Sequence, residues 1–263
     1  MNTTIPPLVL CLSGHDPGGG AGLQADIEAV GAQGAHALGV ITALTVQDSR
    51  DVRRVEPVSA ALFAEQVNLL LADSRIAAIK LGLVGSAEQV PVILDAIARS
   101  RVPVVLDPVL RAGGGSPLAT TPTARAILEQ LLPVATIATP NADEARRLSG
   151  AASPADCAAR LLAGGCEQLL ITGGDEASPE VENHWFHRDG EHEVFRWPRL
   201  AGGFHGAGCT LASALAARLA LGEPPRVAVR RAQAYVHECL QRALKTGRGR
   251  AIPGRWPPGR WPR

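Results

Sequence analysis

The regular alternation of apolar runs with amphipathic segments limits this chain to a narrow set of folds. The runs are largely apolar without alternation, which is typical of strands that are covered on both faces. They occupy residues 7–13, 37–46, 76–81, 102–107, 134–138 and 168–172. The segments between them carry apolar residues at helical spacing. This order predicts an α/β fold in which helices flank both faces of a mostly parallel central sheet.

Two segments depart from this alternation. Asp189 and Gly190 lie between apolar pairs and predict a β-hairpin over 183–198 with a two-residue type I′ turn. No internal repeat or linker divides the rest, so we expect a single domain over 1–246. Residues 247–263 are rich in Arg, Pro, Gly and Trp and predict a poorly ordered tail.

Composition excludes several classes of partner. Lys and Arg total 26 against 25 Asp and Glu, and a net charge of +1 argues against electrostatic capture of nucleic acid or a membrane surface. Residues 1–12 show neither a basic n-region nor a cleavage site, and no apolar run approaches the ~20 residues of a membrane span. Five scattered cysteines without a CxxC pair argue against a disulfide framework or a structural zinc site. We therefore expect a cytoplasmic protein.

Glycine-rich and polar segments follow nearly every predicted strand. In an open parallel sheet, ligands bind beyond the carboxyl ends of the strands, so these segments predict the binding site. They cover residues 13–22, 47–51, 82–86, 107–116, 139–141 and 172–174.

The turn at 202–209 adds a candidate anion site to the same edge. It is glycine-rich and leads into an apolar helix, whose first N–H groups and dipole favour a negative ligand. Cys209 stands at the helix start, where the thiol pKa is usually lowered. The alternative is a tight turn with Cys209 as a small buried apolar residue.

Common nucleotide and hydrolase motifs are absent from the sequence: neither G-x-G-x-x-G, nor G-x-x-x-x-G-K-[ST], nor G-x-S-x-G occurs. Six other motifs follow one another in a characteristic order. They are SGHDPGGGAGLQAD (13–26), VITALTVQ (40–47), KLGLVGS (80–86), VLDPV (105–109), TPNADE (139–144) and HGAGCTL (205–211). Over about residues 8–245 the chain thereby resembles the hydroxymethylpyrimidine/phosphomethylpyrimidine kinases of thiamine biosynthesis, within the ribokinase-like fold.

The resemblance implies a three-layer α/β/α kinase that uses ATP and Mg²⁺, works on a small pyrimidine and forms a homodimer. It places Asp26, Gln47, Gly14 and Lys80 at the pyrimidine, whose ring nitrogens and amino group suit a carboxylate and a carboxamide. Without the resemblance, Asp26 would be a solvated helix carboxylate, Gln47 a loop side chain and Lys80 a snorkelling lysine at a strand end.

The resemblance also assigns the phosphate-binding residues. Asn141 and Glu144 match a motif for magnesium and the nucleotide phosphates, although their spacing equally fits a plain capping box. Asp107 is a second carboxylate near the metal, and its alternative is a turn former before a proline. Thr172 and Gly174 are expected beside the nucleotide.

For catalysis, the resemblance implies backbone donors from Gly206, Ala207, Gly208 and Cys209 to the phosphoryl group in flight. Cys209 takes the position of the usual aspartate base. A flexible 113–115 loop would close over the substrate.

Two departures from the family pattern leave alternatives open. Thr172 replaces a frequent lysine, and 199–204 lacks the usual polar approach to the anion turn. They motivate the hypothesis of a non-catalytic pyrimidine-binding module. Other hypotheses are a pyridoxal kinase of the same fold and a cysteine hydrolase, for which Cys209 would need a histidine partner; His205 is close in sequence but lies in the loop.

Overall fold

The fold is built on a single nine-stranded sheet, and the computed structural model describes residues 5–256 of the chain. The strands carry the labels used below. They are β1 (Leu8–His15), β2 (His36–Gln47), β3 (Val52–Pro57), β4 (Ile76–Leu81), β5 (Val104–Leu106), β6 (Ile137–Ala138), β7 (Gln168–Ile171), β8 (Glu180–His187) and β9 (His192–Pro198).

The sheet has the order β3-β2-β1-β4-β5-β6-β7-β8-β9. Six neighbouring strands are parallel: β2, β1, β4, β5, β6 and β7. Strands β3, β8 and β9 add antiparallel pairs at the two edges. This confirms the predicted mostly parallel sheet. The sequence does not predict β3, because Arg53, Arg54 and Glu56 are exposed on this edge strand and remove its apolar signal.

Within residues 5–256, eight α-helices cover the two faces of the sheet. They are α1 (Gly22–Ala32), α2 (Ala60–Asp73), α3 (Val90–Ser100), α4 (Thr121–Ala126), α5 (Ala142–Ser149), α6 (Pro154–Ala163), α7 (Ala207–Ala220) and α8 (Pro225–Gln241). A π-turn (Ile127–Leu131) and a 3₁₀ turn (Leu132–Val134) extend α4. Within the described range, no helix combines the length and the apolar composition that a membrane span requires.

Two separate cores hold the layers together. Alternate residues of β1 point to opposite faces, so Leu10 packs with α2 to α6 and Val9 packs with α1, α7 and α8. Helix α7 lies against the middle of the sheet and is buried over most of its length. The architecture is the predicted three-layer α/β/α arrangement.

The hairpin of β8 and β9 exists, but its turn differs from the prediction. The N–H of Gly190 donates to the carbonyl of His187 (3.0 Å), and the N–H of His187 donates to the carbonyl of Glu191 (2.9 Å). Three residues therefore separate the bonded pair, and Gly190 takes the left-handed conformation at φ 100°. The type I′ prediction was wrong because this loop needs a positive φ only at its last position.

The segment after α8 also corrects a prediction. Residues 247–256 pack on the domain, with a bridge between Phe204 and Ala251 and another between Leu244 and Ile252. Arg255 is only 1% exposed. The expectation of a poorly ordered tail was wrong here because Arg255 finds its acceptors in a distant loop, whereas 257–263 lie outside the described residues.

Candidate active site

A cavity of about 720 Å³ opens where the parallel strands end. Residues that follow β1, β2, β4, β5, β6 and β7 line it together with the turn before α7. Most residues predicted for the site are among its lining. They are Gly14, Gln47, Lys80, Asp107, Asn141, Glu144, Thr172, Gly174, Gly206, Ala207, Gly208 and Cys209.

The turn before α7 presents unpaired backbone donors to this cavity. Gly206 is the N-cap at φ 86°, no side chain caps the helix, and the first intrahelical bond runs from Thr210 N–H to Gly206 C=O (3.0 Å). The N–H groups of Ala207, Gly208 and Cys209 therefore have no intrahelical acceptor. Such a set of donors at a helix N-terminus fits the oxygens of a phosphate.

The surroundings of Gly206 require a glycine, whereas those of Gly208 leave room for a Cβ. A Cβ on Gly206 would overlap the carbonyl of Gly20, and its φ is strained for any other residue. A Cβ on Gly208 would lie 3.9 Å from both carboxylate oxygens of Asp107. The helix N-terminus thus lies beside the central carboxylate of the cavity.

The state of Cys209 differs from the sequence-based expectation. Burial raises the pKa of Cys209 to about 12; the charge of Lys80 opposes this rise, and the charges of Asp107 and Asp26 add to it. The expected low pKa of this thiol is therefore wrong, because burial and the charges of two carboxylates outweigh the charge of Lys80. Among the described residues His205 makes no hydrogen bond to Cys209; its Nε2 lies 2.9 Å from Asp16 Oδ2.

One end of the cavity carries the predicted pyrimidine contacts. Gln47 lies there with its amide donating to Thr45 Oγ1 (2.6 Å), which leaves its carbonyl oxygen free to accept. Gly14 faces Leu83 so closely that a Cβ would reach Leu83 Cδ2 at 2.8 Å. Lys80 also lines the cavity.

Asp26 takes a different place from the one predicted. It does not line the cavity; it is fully buried behind Lys80, whose Nζ lies 2.8 Å from its Oδ1. Ser213 Oγ donates to the same oxygen (2.6 Å). The predicted direct contact of Asp26 with the pyrimidine is thus replaced by an ion pair that fixes Lys80.

Two carboxylates define the middle of the cavity. Burial raises the pKa of Asp107 to about 6, with Lys80 opposing the rise, and burial together with the Asp107 charge raises the pKa of Glu144 to about 8. Glu144 accepts from the N–H of Leu110 (3.2 Å) and of Asn141 (3.0 Å), and the capping box with Asn141 is complete.

This pair of carboxylates fits a divalent cation that keeps most of its waters. Magnesium is commonly held by one or two carboxylates plus substrate phosphates, and a cation would relieve the repulsion between Asp107 and Glu144. No group of three or more His, Cys, Asp or Glu residues suited to a metal occurs in residues 5–256. Any cation here would therefore need phosphate oxygens and waters as its remaining ligands.

The opposite end of the cavity is shaped by the turn after β7. Thr172 forms an isolated parallel β-bridge with Asn141, and the carbonyl of Thr172 accepts from the N–H of Ala142 (2.9 Å). Arg199 donates to the carbonyls of Gly174 (3.0 Å) and Gly173 (3.3 Å). Arg199 therefore orders this turn and does not offer its donors to a phosphate in place of the missing lysine.

Sequence reasoning missed three residues of the cavity wall. They are Asp16, whose hydrogen bond with His205 joins the first glycine loop to the anion turn, and the arginines Arg199 and Arg250. The pair is separated by 189 positions. Only the position of Asp16 inside the first motif could have signalled its role.

Comparisons with known proteins agree with this geometry. A family model described as phosphomethylpyrimidine kinase matches residues 16–253. A hydroxymethylpyrimidine/phosphomethylpyrimidine kinase of Streptomyces coelicolor is 39% identical over 93% of this chain and 92% of its own.

Two solved structures are similar over most of the chain. A pyridoxal kinase of Staphylococcus aureus in complex with AMP-PCP and pyridoxal aligns with a TM-score of 0.85 at 26% identity, over 95% of this chain and 94% of its own. A phosphomethylpyrimidine kinase of Clostridium difficile aligns with a TM-score of 0.77 at 28% identity, over 89% and 99%. These likenesses confirm the ribokinase-like fold and the kinase hypothesis over the non-catalytic alternative.

Proposed function

Because the chain belongs to the phosphomethylpyrimidine kinase family, we propose that this phosphotransferase moves the γ-phosphoryl group of ATP to 4-amino-5-hydroxymethyl-2-methylpyrimidine and then to its monophosphate. The observation that carries the proposal is the anion turn. Its free N–H groups at Ala207, Gly208 and Cys209 face the same cavity as the amide of Gln47 and the carboxylate of Asp107.

The chain's residues would bind and orient the acceptor first. The free amide oxygen of Gln47 accepts from the amino group of the pyrimidine, and Lys80 supplies a donor at the base of the cavity. Asp26 keeps the Lys80 side chain in one position. The hydroxymethyl group would then face the anion turn.

Transfer would depend on position and charge rather than on covalent catalysis. The three free N–H groups hold the phosphoryl oxygens while the bond to the leaving phosphate breaks. Burial raises the pKa of Cys209 to about 12, so its thiol is protonated at neutral pH and would not take the acceptor's proton. As the new P–O bond forms, the hydroxyl proton would instead pass to an oxygen of the transferred phosphoryl group. The backbone of the turn supplies most of the stabilisation.

Asp107 and Glu144 are the residues that would hold Mg²⁺, with Asn141 and the turn at Thr172 and Gly174 beside the nucleotide phosphates. A bound magnesium ion would neutralise charge on the β- and γ-phosphates. The glycine loop at 113–115 lines the mouth of the cavity, where its closure would exclude water.

The same proposal includes the assembly and location that the resemblance implies. We propose a homodimer in the cytoplasm, with the predicted single kinase domain, which the one continuous sheet supports. Light scattering of the purified chain would test the dimer.

A direct assay tests the activity. Purified protein is incubated with ATP, Mg²⁺ and either the pyrimidine alcohol or its monophosphate, and ADP release is measured. We expect turnover with both acceptors. Failure with both would refute the proposal.

Matched variants test the part played by the anion turn. Gly206→Ala should lose at least ~100-fold in kcat, because the new Cβ overlaps the carbonyl of Gly20. Gly222→Ala is the control, since Gly222 ends the same helix at φ 81° with open space around it. Equal losses in the two variants would show that backbone strain, and not the turn, is responsible.

Pyridoxal is the second candidate acceptor. The observation that favours it is the higher TM-score of the Staphylococcus aureus pyridoxal kinase relative to the Clostridium difficile phosphomethylpyrimidine kinase. We expect kcat/KM for the pyrimidine alcohol to exceed that for pyridoxal, because the relative at 39% identity is named for the pyrimidine. The opposite ratio would make pyridoxal the preferred acceptor.

A further inference from the structure

The segment that follows α8 brings an arginine to the cavity from outside the six motifs. The N–H of Arg250 donates to the carbonyl of Ser49 (2.9 Å), in the turn between β2 and β3. The N–H of Ala251 donates to Gly203 C=O (3.1 Å), and the N–H of His205 donates to Ala251 C=O (2.9 Å). The segment thus connects the pyrimidine end of the cavity with the anion turn.

The side chain of Arg250 runs between these two parts. A Cβ on Gly203 would lie 3.4 Å from Arg250 Cγ and 3.7 Å from its Nε. At the far end of the side chain, Nη1 of Arg250 would overlap a Cβ built on Gly113. That Cβ position is 3.9 Å from His205 Nδ1. The guanidinium therefore lies beside the anion turn and under the glycine loop, in the cavity lining.

The charge of this guanidinium is not matched within the cavity. Among residues 5–256 it has no side-chain hydrogen bond and no ion pair within 4.0 Å. The neighbouring carboxylate of Asp51 already accepts hydrogen bonds from the hydroxyl of Ser116 (2.7 Å) and from the N–H of Val52. Lys80, which also lines the cavity, is paired with Asp26. Arg250 is thus free to bind an anion.

We propose that Arg250 binds the phosphate of the monophosphate acceptor and so makes the second phosphorylation efficient. The inference rests on the proposed function. With the ring at Gln47 and the γ-phosphoryl group at the anion turn, the acceptor's phosphate must lie between them, which is where the guanidinium lies. The planar fork of arginine suits two oxygens of one phosphate.

The chemistry of the second step requires such a cation. An oxygen of the acceptor phosphate forms a bond to the γ-phosphorus, the bond from γ-phosphorus to the β,γ-bridging oxygen breaks, and ADP leaves with that electron pair. A phosphate monoester is mostly dianionic at neutral pH, with a second pKa of about 6, so no proton has to be removed. The obstacle is repulsion between two anions, which Arg250 offsets. The alcohol has no such charge.

The test compares both acceptors in matched variants. Arg250→Met should lower kcat/KM for the monophosphate by about 10- to 100-fold, which is the range for a lost charge-assisted hydrogen bond. The same variant should change kcat/KM for the alcohol by less than ~3-fold. Arg250→Lys should recover part of the loss, because it keeps the charge and loses the fork. Arg248→Met, on the exposed part of the same segment, should leave both values unchanged.

Other outcomes would overturn the inference. Equal losses with both acceptors would place Arg250 at the nucleotide or in the fold, and no loss with the monophosphate would remove it from the site. Calorimetry of monophosphate binding without ATP separates this inference from the proposed function. If the wild type phosphorylates neither acceptor, at least ~10-fold weaker monophosphate binding by Arg250→Met still supports the anion site, and equal binding overturns it.

Discussion

Replacing Lys80 by methionine should destabilise the protein by about 3–4 kcal/mol, because it leaves the Asp26 carboxylate buried without its counter-charge. Both side chains are 0% exposed and their charged atoms are 2.8 Å apart. After the substitution, Asp26 retains one hydrogen bond, from Ser213 Oγ at 2.6 Å. Its Oδ2 has no hydrogen-bond partner among the described residues.

Protonation of Asp26 sets a ceiling on this cost. An ordinary aspartate has a pKa near 3.9, so protonating it at pH 7 costs about 4 kcal/mol at 1.36 kcal/mol per unit. In Lys80→Met the folded protein would bind this proton more tightly than the unfolded chain does. The stability that Lys80→Met loses relative to the wild type should therefore shrink by up to ~1.4 kcal/mol per pH unit as the pH falls from 7 toward 4.

Urea unfolding followed by circular dichroism measures both effects. The control is the double variant Asp26→Asn with Lys80→Met, which removes both charges and should recover most of the lost stability. A deficit below ~1 kcal/mol, a deficit independent of pH, or a double variant no more stable than Lys80→Met would refute the reasoning.

Three further predictions concern groups outside this pair. Arg255→Met should lower the free energy of unfolding by about 3 kcal/mol, measured in urea, and should also lower kcat. The buried guanidinium donates to Thr210 Oγ1 at 2.9 Å and connects the start of α7 to the first glycine loop, so unchanged stability would contradict this prediction. For Asp16, burial alone would raise the pKa, but the hydrogen bond from His205 and two backbone N–H groups lower it. We therefore expect the protein to lose stability as the pH falls from about 5 to about 3, and Asp16→Asn should flatten this loss; parallel curves would exclude the effect. Because its raised pKa leaves almost no thiolate, Cys209 should react with iodoacetamide at pH 7.5 at least ~10-fold more slowly than free glutathione does. Mass spectrometry measures both rates, and a rate equal to that of glutathione would contradict the raised pKa.

Much of the fold follows from local patterns. The uninterrupted apolar run in β1 and its glycine-rich exit predict a buried parallel strand and a ligand site at its end, and both features are present. The capping box of Asn141 and Glu144 is equally local, because its two bonds join residues three positions apart. The edge strand β3 was missed because its exposed face carries charges instead of apolar residues.

The part played by each charged group at the site is a different matter. The sequence alone determined the layered sheet, the glycine-rich edge and the anion turn, since backbone geometry and apolar spacing act over a few residues. Only the tertiary structure placed Asp26 behind Lys80 and raised the pKa of Cys209. It alone brought Arg255 to the carbonyl of Gly19, 236 positions away. Burial and charge depend on neighbours that are close in space and distant in the chain, so no local pattern could specify them.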